Sequence, residues 1–147
     1  MASIFNTNDN QDLISRIEKL TPSATPLWGK MTVDQMLKHS IAPIDVVFGD
    51  LVIKMPFYMG WLGRMFKKSV LNNEFKKGSP TAKEFIFKER YNFEQSKQEL
   101  IEKTRKFQDG TKVIKLERHP FWGKMNPQEW DTLIWKHLDH HLKQFGV

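Results

Sequence analysis

Residues 122–146 read WGKMNPQEWDTLIWKHLDHHLKQFG. The stretch opens as helices open. Asn126 can accept hydrogen bonds from free backbone N–H groups, Pro127 has the fixed φ favoured at the first helical position, and Glu129 stands where a capping box needs it. Helical periodicity then runs to about Phe145, with Gly146 beyond it as a stop. At about 100° per residue, with His137 as zero, His141 lies at about +40°, Ile134 at about +60° and Leu133 at about −40°. Trp130 shares that side. His137 and His141 therefore stand in the middle of an apolar stripe. His140, at about −60°, lies at its margin, and Asp139, at about 200°, faces away.

The tetrapeptide WGKM occurs a second time, at 28–31, and again a capped helix follows it. Thr32 is the N-cap and Gln35 completes a capping box, so each WGKM reads as a helix entrance whose Trp and Met can pack as a staple. The two segments diverge beyond it. Eleven residues after Trp28 comes His39, but eleven after Trp122 comes Leu133. His39 is centred on the apolar side of its helix, with Met36, Ala42, Pro43 and Val46 within about 60° of it. Pro43 is expected to kink this helix or end it early.

Depth ties the two helices together. His39 lies roughly 10 Å from the start of its helix, and the midpoint of His137 and His141 roughly 10 Å from the end of theirs. The three are level only if the helices run antiparallel. Two further helical patterns complete a core: residues 9–19, with Leu13, Ile14 and Ile17 on one face, and a helix from near Asn92 to the Asp109-Gly110 stop. Between the His39 helix and the one from Asn92, residues 50–90 form a long crossover, with a shorter helix expected over 56–70. Residues 84–93 alternate enough for a short strand, or else extend the following helix. The expected fold is all-α, a four-helix bundle with an up-down-down-up course, in a single domain over 1–147.

The composition fits that domain. The chain has 147 residues, no cysteine and a net charge of +6. Absence of disulfides fits a cytoplasmic location, and any thiol chemistry would need a thiol from outside. Residues 1–10 lack the basic and apolar regions of a signal peptide, and no apolar run reaches the roughly 20 residues that span a bilayer. The aromatic and basic stretch 51–68 could suit a membrane surface, but reads more simply as a packed helix with a basic outer face. No nucleic-acid-binding motif accompanies the positive charge. A small-molecule substrate is the expected partner, rather than nucleic acid or membrane, and a homodimer is left open.

Burying three imidazoles together is costly, because each needs hydrogen-bond partners and none can charge easily. A divalent cation resolves that cost, and three His ligands plus water form an open coordination pattern known from catalytic sites. His39, His137 and His141 are thus the candidate ligands. His119 stands apart as a loop residue. Gln35, at about −40° from His39, and Gln144, at about −20° from His137, could orient a ligand or cap the polar end of the core. Trp130 reads as core or as a substrate platform. No carboxylate is placed as a general base, and the HExxH arrangement of many zinc proteases is absent.

The segments WGKMTVDQMLKHS (28–40) and HPFWGKMNPQEWDTLIWKHLDHHLKQFG (119–146) resemble the DinB-like superfamily, in particular an uncharacterised branch with WGKM-type helix entrances. The resemblance covers nearly the whole chain and is most specific in the His-rich C-terminal helix; 50–90 matches only in length and general character. It implies a four-helix bundle with a nickel, zinc or similar divalent site at His39, His137 and His141. It further implies a metal-dependent enzyme, either a transferase using a low-molecular-weight thiol or a hydrolase. The competing expectation is a non-catalytic helical bundle whose His cluster is structural or vestigial.

Overall fold

Five α-helices dominate the computed structural model, which describes residues 2–54, 56–79 and 81–147. They are α1 (Thr7–Lys19), α2 (Val33–Phe48), α3 (Phe57–Asn72), α4 (Phe93–Lys106) and α5 (Pro127–Gln144). A minimal antiparallel hairpin, β1 (Arg118–His119) with β2 (Gly123–Lys124), precedes α5. The fold class is all-α.

Local chemistry sets the helix starts. Asn6 accepts from the N–H groups of Asn8 and Asp9, so α1 begins two residues earlier than its apolar pattern suggests. Asn92 accepts from the Gln95 N–H at the start of α4, and Asn126 and Glu129 form the reciprocal capping box of α5. At α2 the Thr32 N–H donates to Gln35 Oε1, as the sequence implies. Pro43 does not end α2, which continues to Phe48 and stops at Gly49 with φ +79°. A proline inside a helix removes one N–H, the one that would have met the carbonyl four residues back, here that of His39. Burial of Ile41, Ala42, Ile44, Val46 and Val47 around it holds the helix together.

Polar links fix the helix directions. Lys38 pairs with Glu99 and Lys103 with Asp45, so α2 and α4 run parallel. The Ile4 N–H, just before α1, donates to Asp131 early in α5, while Arg16 late in α1 pairs with Asp139 late in α5. Those two are parallel as well. The α1–α4 pair is antiparallel, because Asn10 reaches the Thr104 carbonyl and Lys97 reaches those of Glu18 and Leu20. The antiparallel course of α2 against α5 follows from both their ends. The Leu27 N–H donates to the Gln144 carbonyl at one, and at the other the Lys115 N–H meets Val47 while Trp130 Nε1 donates to Leu116. Trp28 and Trp122 accordingly lie at opposite ends.

One expectation for the crossover needs correction and another needs completing. Residues 84–93 are neither strand nor helical extension: Lys83–Phe85 make a single 3-10 turn and 86–92 follow no regular pattern. Their backbone groups are satisfied by α2 side chains instead of a sheet. His39 Nδ1 meets the Phe85 carbonyl, Gln35 Nε2 donates to that of Glu89, and the Tyr91 N–H donates to Asp34 Oδ2. The stretch 51–68 does carry a packed helix with Arg64 and Lys68 exposed, but its outer face is apolar as well as basic. α3 seats its glycine side against the hairpin: Gly60 lies over the Pro120 carbonyl and Gly63 tightly over that of Phe121. Lys67 bonds to the Lys124 carbonyl and to Glu129, and Lys136 of α5 reaches the carbonyls of Val70, Leu71 and Asn73 at the other end. Tyr58, Trp61, Leu62, Met65 and Phe66 point outward.

His119 is more than a loop residue. Its Nδ1 accepts from the N–H groups of Phe121 and Trp122, at 3.0 and 3.1 Å, and its ring packs against Trp130. Accepting at Nδ1 requires the neutral tautomer, and burial drives its pKa down to about 3 from an ordinary 6.5. The folded state thus binds this proton less readily than the unfolded chain. Its contribution is fully present above pH 6.5 and is lost progressively as pH falls towards 3, with a slope of at most about 1.4 kcal/mol per pH unit. His119→Asn retains an acceptor but does not titrate. Urea unfolding at pH 7 and pH 5 is expected to show a smaller acid loss of stability in this variant than in the wild type; equal losses would contradict the assignment.

Candidate metal centre

α2 and α5 bring three imidazoles together where their antiparallel courses cross in level. His39 and His141 are buried and His137 is partly buried. One ring nitrogen from each lies within 4.8 Å of the others, and His39 Nε2 is 3.1 Å from His137 Nε2. Ligands about 2.0–2.1 Å from one cation, at tetrahedral or octahedral angles, are about 2.8–3.4 Å apart. The His39–His137 pair already meets that spacing, and any wider one closes by about 2 Å of side-chain movement or less.

Outer partners aim two of the rings. His39 Nδ1 lies 2.8 Å from the Phe85 carbonyl, which only accepts, so Nδ1 carries the proton and Nε2 keeps its lone pair. The second ring is set by a relay. Gln144 Nε2 donates to the Trp28 carbonyl at 2.7 Å, which turns Gln144 Oε1 towards His141. Oε1 then accepts from His141 Nδ1 at 2.8 Å, again leaving Nε2 as the free donor atom. Such hydrogen bonds fix tautomer and ring plane, the usual function of groups behind metal ligands.

Electrostatics keep the cluster neutral. Burial lowers the pKa of His39, although its bond to Phe85 opposes this. Burial takes His141 down to about 3, with His39 adding repulsion and Gln144 opposing. His137 is held well below its ordinary value by burial first, then by His141, His39 and His140. Neutral imidazoles retain the lone pairs that a cation needs. Aromatic rings wall the cluster: Phe85 sits edge-on to His39 and Phe75 edge-on to His137.

The other candidate residues fall into place around this. His140 is outside the three-nitrogen cluster and packs between Trp28 and Phe75. Gln144 supports His141 from behind. Gln35 has both ends of its amide engaged elsewhere, with Thr32 and Glu89. Trp130 is fully buried with its Nε1 on the Leu116 carbonyl, at the far end of α5 from His141. Asp139 faces away, held by Arg16 and Lys143. Sequence reasoning missed Phe85 and the Trp28 carbonyl, because a backbone acceptor leaves no mark in residue type.

The recurrence of WGKM also has a conformational basis. Gly29 and Gly123 both have left-handed φ values, +82° and +74°. A Cβ on Gly29 would lie 2.7 Å from Gln144 Nε2, so this glycine also makes room for the relay. The second copy does different work: Met125 enters the core and the Trp122 N–H bonds to His119.

A family model, Protein of unknown function (DUF1569), matches residues 5–146. The chain belongs to this family. No curated protein and no solved structure matches it.

Proposed function

We propose that this DUF1569 member is a DinB-like four-helix bundle, up-down-down-up, that works as a divalent-metal-dependent enzyme on a small molecule. The observation that carries the reading is the convergence of three neutral imidazoles, two of them aimed by outer hydrogen bonds. His39, His137 and His141 would hold the cation, with nickel or zinc the best match to an imidazole set. Such a cation, with positions left open, supplies Lewis acidity and lowers the pKa of a coordinated water or low-molecular-weight thiol. The chain has no cysteine, so a transferase would need that thiol from outside, whereas a hydrolase would need only water. The Phe85 carbonyl and the Gln144 relay orient the ligands, and Phe75 and Phe85 restrict water at the cluster.

One observation favours a second reading. The 3.1 Å contact lets His39 and His137 satisfy each other without a cation, as a structural, non-catalytic cluster would. Calorimetric titration of untagged protein with zinc, nickel and manganese separates the two. One equivalent bound tighter than about millimolar, an affinity of about 4 kcal/mol, is expected. Failure of all three to bind would overturn the metal reading.

A further inference from the structure

We propose that α3 is a docking surface for an anionic membrane. Tyr58, Trp61, Leu62, Met65 and Phe66 are 55, 60, 39, 63 and 57% exposed, large values for five big apolar side chains on one helix. Their spacing puts them within a stripe about 140° wide, centred opposite the Gly60–Gly63 side seated on the hairpin. An amphipathic helix normally buries such a stripe; α3 buries its glycines and offers the stripe outward.

Charge selects the occupant. From Leu51 to Asn73 the chain has four basic residues and no acidic one. Of these, Lys67 is turned inward to Glu129, while Lys54, Arg64 and Lys68 are exposed, the last two along one margin of the stripe. Aromatic residues at the polar boundary, aliphatic side chains between them and cations at the rim are what an anionic bilayer surface binds. A second copy of this chain fits less well, because its α3 would bring more cations and no carboxylate. The 16-residue helix is about 24 Å long and is held on the hairpin at Gly60, Gly63 and Lys67 and at its last turn by Lys136. Lys136, beside His137, holds the end of α3, and Phe75 just beyond it packs on His137. A docked α3 would therefore place the histidine cluster close to the bilayer.

The test is co-sedimentation of the full chain with phosphatidylcholine vesicles, with and without roughly one quarter phosphatidylserine. Binding is expected only to the anionic vesicles. The double variant Trp61→Ser, Phe66→Ser should weaken it more than about tenfold, and Lys68→Glu about fivefold or more. All three positions are exposed, so circular dichroism should be unchanged. Absence of binding would overturn the proposal. So would retention of binding by the Trp61, Phe66 variant, which would mean adsorption by charge alone. A concentration-dependent dimer abolished by the same two substitutions would instead assign the stripe to a second copy and also overturn it.

Discussion

His137→Ala is expected to weaken divalent-metal binding by more than about a hundredfold, and His39→Ala and His141→Ala to do the same. Each removes one of the three nitrogens that converge among the described residues, and each would meet a cation from a buried or half-buried position where no water replaces it readily. Gln144→Leu should cost about tenfold to a hundredfold, because it frees the His141 ring without removing its donor atom. His140→Ala is the control. It loses contacts with Trp28 and Phe75 but no candidate ligand, so affinity should fall by less than about tenfold. Calorimetric titration of the five variants checks the order. Equal losses from His140 and His141 would mean four imidazoles close the sphere, and the open-site reading would then fail.

Gly63→Ala is expected to destabilise the protein by about 2–3 kcal/mol, or to release α3 from its seat. A Cβ there would lie 1.9 Å from the Phe121 carbonyl oxygen, a backbone atom that cannot rotate aside. The matched substitution Gly60→Ala meets its nearest atom, the Pro120 carbonyl oxygen, at an ordinary 3.7 Å. It should be neutral or stabilise the helix by up to about 1 kcal/mol, since alanine is the better helix former. Thermal unfolding with limited proteolysis across 57–72 distinguishes the pair. Equal stability of the two variants would contradict the close seating of α3.

The helix chemistry was legible because it is local. Caps at Thr32, Asn92 and Asn126 and the apolar stripes of 9–19 and 127–144 depend on neighbours a few residues away, which the sequence carries in plain order. The level of His39 with His137 and His141 was also legible, because helical rise converts residue number into length. What escaped notice depends on distant partners. The path of 84–93 is decided by Asp34, Gln35 and His39 offering it hydrogen bonds, and nothing in its own alternation announces them. The apolar part of the outer face of α3 was not foreseen, because residue type does not say which side of a helix finds a partner. Two glycines and a hairpin carbonyl decided that. Pro43 read as a helix end misled in the opposite sense: that local signal was outweighed by burial on both sides of it.

Anomalous diffraction from crystals of untagged protein grown with zinc tests the central claim most directly. A single peak is expected about 2.1 Å from the Nε2 atoms of His39, His137 and His141, with no fourth protein ligand. A peak elsewhere, a sphere completed by His140, or three imidazoles still paired with one another and no peak among them would contradict it.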